Sequence, residues 1–287
     1  MKHFTRFRAY QLGEEGSSFS LVVDNHFTLI EAKITDTNKA NILKELELFE
    51  KSKIDVLHIT SWDTDHCDKN SLEFILENLQ PSVIEYPSYT PDSETGRECL
   101  KLIKNYDKGS KIQITISRVQ ESEGNAIKLI GRDIFLNPQN ISTNHNDNSI
   151  VKFFRIGSYQ ILSLGDCESS DISERLQDNE ILKNEVDVLI LAHHGSNNSI
   201  CTKEFLKNIL PKVAICTSNY DNRYEHPHKV IRNRLYELQI PYFTTKTGDI
   251  IIQSVDKYSF NVYNLCNNNK DCNDPETFKN KTWYIND

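Results

Sequence analysis

Runs of β-prone residues alternate with helical apolar spacing along most of this chain. Phe19-Ser20-Leu21-Val22-Val23 and Phe27-Thr28-Leu29-Ile30-Glu31 flank the turn-forming Asp24-Asn25-His26, which predicts a hairpin. Ile42, Leu43, Leu46 and Phe49 recur at helical intervals behind Thr37-Asn38, so residues 37–52 read as an amphipathic helix. A strand at 54–60, a helix at 72–79 and a strand at 83–86 closed by Pro87 follow. That β-α-β order calls for parallel pairing in a layered α/β fold.

Between 88 and 146 the pattern predicts a helix near 94–106. β-prone runs at 111–119, 126–130 and 133–136 follow, and their polar connections suggest antiparallel strands. From 149 onward strands at 149–156, 159–164, 186–192 and 213–217 alternate with helices at 171–183 and 202–209. A last helix follows Pro227, with Val230, Ile231, Leu235 and Leu238 on one face, and strands at 241–245, 249–255 and 258–264 close the pattern. Neither a linker nor a repeat divides the chain, so a single domain over 1–264 is expected. Residues 265–287 are rich in Asn, Asp and Lys and read as a weakly packed polar tail.

Composition narrows the function classes. No run approaches the roughly 18 to 20 apolar residues of a membrane span, and no apolar stretch of signal-peptide type follows Met1-Lys2-His3-Phe4. The 7 cysteines include no Cys-x-x-Cys pair, which argues against a disulfide framework or a zinc knuckle. A cytoplasmic location with reduced thiols is expected. Lys+Arg 33 against Asp+Glu 41 gives a net charge of -8, so a polyanionic substrate requires a local basic patch or a metal ion.

Metal-competent residues cluster where these strands end, the place where open α/β sheets position ligands. Ser61-Trp62-Asp63-Thr64-Asp65-His66 sets alternating carboxylates beside an imidazole, either as metal donors or as caps of the next helix. Leu164-Gly165-Asp166 stops an apolar strand at a carboxylate. Ala192-His193-His194-Gly195-Ser196 carries adjacent imidazoles that must diverge, one reaching a metal and the other a carboxylate or the substrate. His226-Pro227-His228 stands before the last helix, as ligands or as plain surface residues.

In this order and spacing the clusters resemble the metallo-β-lactamase fold superfamily, and within it the hydrolase domains of ComEC type. The closest segments are His193-His194-Gly195-Ser196 and Asn222-Arg223-Tyr224-Glu225-His226-Pro227-His228. The resemblance implies a four-layer αββα sandwich holding one or two divalent metals, Zn²⁺ or Mn²⁺, that activate water for hydrolysis. It makes Asp65 and His66 ligands of one ion, Asp166 a shared carboxylate, Asp63 a ligand of a second ion, and His226 or His228 a late ligand. Asp63 or Asp65 would act on the water, and His193 or His194 would meet the scissile phosphate. Ser61 departs from the family, whose loop begins with histidine, and His145 falls near another family ligand.

Arg223, Lys229, Arg232 and Arg234 give the expected rim a basic character, with Ser196, Arg223 and Lys229 as candidate substrate contacts. These readings converge on a metal-dependent phosphodiesterase or nuclease with a nucleic acid or nucleotide substrate and no membrane. The alternatives are a thioester, lactone or lactam hydrolase, or a scaffold that has lost its metal and serves as a binding module.

Overall fold

The computed structural model of the chain describes residues 3–126 and 131–281. Among the described residues two sheets face each other, with the strands that follow. The first has ten strands: Thr5–Ala9, Phe19–Val23 and His26–Ile30 are antiparallel, and Val56–His58, Val83–Pro87 and Ser110–Ile114 continue it in parallel. At its other side Ile250–Ser254 pairs with Thr5–Ala9 and with Ser259–Cys266, so the two ends of the chain share one sheet. The second sheet has six strands, with Ile161–Ser163, Val188–Ile190, Val213–Cys216 and Tyr242–Thr244 in parallel and a hairpin from Ile134–Asn137 and Val151–Phe154 at one edge.

Period-two alternation of side chains explains the layering. Ile161, Val188, Ile190 and Ile215 turn inward to meet Phe7, Phe19, Ile30 and Ile252 of the first sheet. Their neighbours Leu162, Leu189 and Ala214 turn outward beneath Leu176, Phe205, Leu206, Ile231 and Leu235 of the outer helices. On the other side Leu29, Leu57 and Ile84 bury against Ile42, Leu46, Leu72, Cys99 and Ile103. The result is the expected αββα sandwich. Among the described residues no helix is long and apolar enough to cross a membrane.

Three stretches depart from the expected pattern. The β-prone run at 111–119 is divided: Ser110–Ile114 is a strand, parallel rather than antiparallel to its neighbour, and Ile116–Asn125 is a helix. Thr115 makes the switch, its hydroxyl accepting the Arg118 N–H, and a capped end outweighs the β preference of isoleucines and valine. The expected strand at 126–130 lies outside the described residues except for Ala126. The helix expected over 171–183 is two helices, Ser170–Gln177 and Glu180–Glu185, because Asn179 caps the second with bonds to the Ile181 and Leu182 N–H groups.

The polar segment after 264 also contributes structure. Glu276–Lys279 adds a strand to Ser259–Cys266, Phe278 stacks on Phe260 at 5.7 Å, and the Lys281 N–H donates to Asp187 at 2.6 Å. Strand pairing uses backbone groups, so it tolerates a polar sequence.

Candidate metal centre

Parallel strands from both sheets end on one side of the sandwich, and their following loops build the site. After Val56–His58 the chain turns tightly, with the Asp63 carbonyl accepting the His66 and Cys67 N–H groups. Trp62 anchors this loop from inside: its ring is buried in the core, and its indole N–H donates to the Tyr89 carbonyl at 3.0 Å. Asp65 and His66 are thereby held on a rigid turn. His66 is fixed from behind by Glu31, whose Oε1 lies 3.1 Å from Nδ1.

Asp166 arrives from the second sheet through Gly165, whose φ of 54° suits glycine. A Cβ there would lie 2.8 Å from that of Ser149. His193 and His194 follow Val188–Ile190, both with left-handed backbone, at φ 45° and 53°. Such conformations are costly for side chains of this size and concentrate at functional sites. They send the two imidazoles apart. His194 reaches Asp65 Oδ2 at 3.0 Å through Nε2 and Thr217 Oγ1 at 3.0 Å through Nδ1. His193 meets Glu168 Oε1 at 2.7 Å through Nδ1.

Asp65, His66, Asp166 and His194 each offer one ligand atom, and these atoms lie within 4.8 Å of one another. His66 Nε2 is 3.0 Å from Asp166 Oδ2 and 3.9 Å from Asp65 Oδ2, yet it is buried without an aligned hydrogen-bond partner. A buried polar atom left so is expensive unless something coordinates it. That nitrogen, with two carboxylates and a second imidazole gathered around it, fits a divalent cation.

The electrostatics have the same requirement. Burial opposes charge on His66, but Asp166, Glu31 and Asp65 outweigh it and raise its pKa well above the ordinary imidazole value. Burial likewise opposes ionisation of Asp65 and Asp166, and the neighbouring His66 and His194 charges hold both carboxyls below their usual range. The acids therefore demand a positive charge among them. Burial, then the charges of His194 and His193, pushes His226 down to about 4, which leaves it neutral at pH 7.

The remaining sequence-predicted residues divide into those at the site and those apart from it. Asp63 lines the cavity outside the four-residue cluster, its carboxylate accepting the Ser61 hydroxyl at 2.8 Å. Ser61 is fully buried and also meets the Tyr89 hydroxyl at 3.1 Å, so this position supplies a hydrogen bond where the family has an imidazole. His226 lies beside the cluster, with ring centroids 6.3 Å from His194 and 6.2 Å from His193, and Ser196 lines the cavity.

His228 stands apart, because its Nδ1 accepts the Val230 N–H and caps the helix Lys229–Glu237. His145 also stands apart, paired with Asp92 at 2.9 Å near the surface. Lys229 is exposed on the first turn of that helix and does not line the cavity. Of the expected basic rim, Arg234 is committed to the Cys201 carbonyl at 2.7 Å, and Arg223 borders the mouth, 3.4 Å from Glu15.

Sequence reasoning missed Glu31, Glu168 and Thr217 as partners of the imidazoles. A lone acid or hydroxyl at a strand end carries no spacing signal. The one available cue was position, since each directly or nearly follows a strand that ends on the same side of the sandwich.

No family model matches the chain. Its sequence is 31% identical over 106 residues to ComE operon protein 3 of Bacillus subtilis, covering 37% of this chain and 13% of that protein. It is 30% identical over 135 residues to Recombination protein 2 of Haemophilus influenzae, covering 46% and 16%. A stretch of 48 residues is 44% identical to Competence protein ComA of Neisseria gonorrhoeae, covering 17% and 7%. The matches thus span a small part of much longer relatives.

Among solved structures, the metallo-beta-lactamase fold protein YhfI from Bacillus subtilis superposes with a TM-score of 0.56 at 10% identity, covering 87% of this chain and 100% of that one. Tm1679, described as a metal-dependent hydrolase of the beta-lactamase superfamily, gives 0.51 at 13% identity, covering 85% and 98%. At such identities the likeness is one of fold. The chain is a metallo-β-lactamase-fold protein, similar in sequence to competence proteins of the ComEC type.

Proposed function

We propose that this protein is a metal-dependent phosphodiesterase that hydrolyses nucleic acid or a nucleotide. One observation carries the reading: the buried His66 Nε2, 3.0 Å from Asp166 Oδ2 but without an aligned hydrogen bond, sits at the meeting point of Asp65, Asp166 and His194. The mixed oxygen and nitrogen donors suit Zn²⁺ or Mn²⁺. A divalent ion held there supplies positive charge that polarises a phosphoryl oxygen and acidifies water.

The chain's own groups supply the rest. Asp63, oriented by the Ser61 hydroxyl, faces the cavity and takes the proton from the attacking water. His193 is held at Nδ1 by Glu168, and as an imidazolium paired with that carboxylate it carries a second proton on Nε2 that passes to the leaving oxygen. The cavity, about 620 Å³, accommodates a nucleotide between these groups. Ser61 and Asp63 are engaged with each other, which favours one ion over two. The relatives named for competence and recombination accord with a nucleic-acid substrate.

The test is hydrolysis of bis(p-nitrophenyl) phosphate and of nitrocefin by purified protein loaded with Mn²⁺ or Zn²⁺, beside Asp166→Ala. Phosphodiester cleavage that disappears in the variant supports the reading. Cleavage of nitrocefin alone, or no cleavage and no bound metal, overturns it.

A further inference from the structure

The outer wall of the cavity carries a feature that the hydrolytic chemistry does not require. From the metal centre outward, the His194 and His226 rings lie nearly parallel at 14°, 6.3 Å apart. Tyr224 continues the column against His226 at 5.5 Å and 19°. The column ends in solvent: Tyr224 is 50% exposed while lining the cavity. Among the described residues nothing hydrogen-bonds its hydroxyl, so the ring is not held there by a polar anchor.

The loop that presents this ring is itself constrained. The Asn222 side chain donates to the Asn219 carbonyl at 2.9 Å and to the His226 carbonyl at 3.3 Å, and it accepts the His226 N–H at 2.5 Å. Three bonds from one amide fix the loop that carries Tyr224 and His226. Arg223 lies over the Tyr224 ring, its guanidinium carbon 4.6 Å from the ring centre and its side chain 72% exposed.

We propose that Tyr224 is a stacking platform for an unpaired nucleobase, so that the substrate of this site is single-stranded nucleic acid or a free nucleotide rather than a duplex. The proposal rests on the phosphodiesterase reading of the neighbouring metal centre. A base offers its face to an aromatic ring only when it is out of a double helix. Base–aromatic stacking outcompetes a solvent-exposed cation–π contact, so an incoming base displaces the Arg223 guanidinium. The displaced guanidinium, 3.4 Å from Glu15 through Nε, still has its terminal NH₂ donors for the adjacent phosphate. The ring column runs from the platform to His194, which places the base on Tyr224 and its phosphate toward the metal centre.

Binding of labelled oligothymidylate of eight residues, of an abasic strand of equal length and of a blunt duplex is measured by fluorescence anisotropy at fixed salt. The wild-type chain, Tyr224→Leu and Tyr224→Trp are compared, each checked for folding by circular dichroism. The wild type is expected to prefer the oligothymidylate over the abasic strand and the duplex by about tenfold or more. Tyr224→Leu, which still covers His226, erases that preference, and Tyr224→Trp retains it. Competition by thymidylyl-thymidine as strong as that by the octamer assigns the platform to free nucleotides, and weaker competition assigns it to strands.

Equal affinity for the three ligands, no binding of the octamer, or a preference kept by Tyr224→Leu overturns the proposal. Hydrolysis of bis(p-nitrophenyl) phosphate by the same wild-type preparation separates the two claims. A base preference without any hydrolysis leaves the platform standing and removes the phosphodiesterase, and hydrolysis without preference does the reverse.

Discussion

Glu31 is where the account of the metal centre is most exposed to experiment. It is buried at the end of the strand His26–Ile30, and its carboxylate acts as an acceptor towards Thr60 and His66. Oε2 accepts the Thr60 N–H at 3.0 Å, and Oε1 accepts the Thr60 hydroxyl at 2.5 Å and lies 3.1 Å from His66 Nδ1. Glu31→Gln keeps the volume but puts an NH₂ in one of those two places. If it faces the Thr60 N–H, a buried backbone donor is left unpaired, at about 1–3 kcal/mol. If it faces His66, Nδ1 must accept and the ring proton moves to Nε2, the atom directed at Asp166, so the tautomer required for coordination is lost.

Removing an orienting partner of this kind weakens metal binding by about 10- to 100-fold, equivalent to about 1.4–2.8 kcal/mol. The expected outcome is a loss of that size for Mn²⁺ and Zn²⁺, measured by competition with a fluorescent chelator. Denaturant melts in excess chelator should show the metal-free variant less stable by about 1–3 kcal/mol. A variant that binds both ions within twofold of the wild type would refute the reasoning, since the Glu31–His66 contact would then have no part in holding the ligand.

Two further perturbations follow. Burial raises the Asp187 carboxyl to about 7, against the hydrogen bonds it accepts from the Lys281 and Gln160 N–H groups. An unfolded chain releases that proton near pH 4, so between about pH 4 and 7 the native state binds the extra proton. Stability then falls as pH rises through this window, by up to about 1.4 kcal/mol per pH unit. Urea unfolding of Asp187→Asn at pH 5 and 7 is expected to show a flatter dependence than the wild type, and an unchanged slope contradicts the assignment. If His193 protonates the leaving oxygen, His193→Gln should lower turnover of a dinucleotide by about 10²–10⁴-fold and that of bis(p-nitrophenyl) phosphate much less, because nitrophenolate leaves without a proton. Equal losses on the two substrates count against that role.

The sequence made the layered fold legible through its alternating periods, and the loops at Asp63–His66, Gly165–Asp166 and His193–His194 through their shared position after apolar strands. What it concealed has physical reasons. The choice between the two adjacent imidazoles depends on left-handed backbone angles at 193 and 194, which neither residue type announces. His228 looks like a ligand by spacing but is taken by the helix it caps. The helix Ile116–Asn125 begins inside a run of β-branched residues, and one threonine hydroxyl decides the switch. Glu31 contacts His66 across a parallel strand pair, 35 residues away in the chain, and separation of that kind leaves no local pattern.

The central claim is that Asp65, His66, Asp166 and His194 hold one divalent ion. Isothermal titration of Mn²⁺ and of Zn²⁺ into chelator-stripped protein, for the wild type and for His66→Ala and Asp166→Ala, tests it most directly. The account predicts one high-affinity ion per chain in the wild type and loss of that binding in both variants. Absence of stoichiometric binding in the wild type, or full binding retained when His66 or Asp166 is removed, would contradict it.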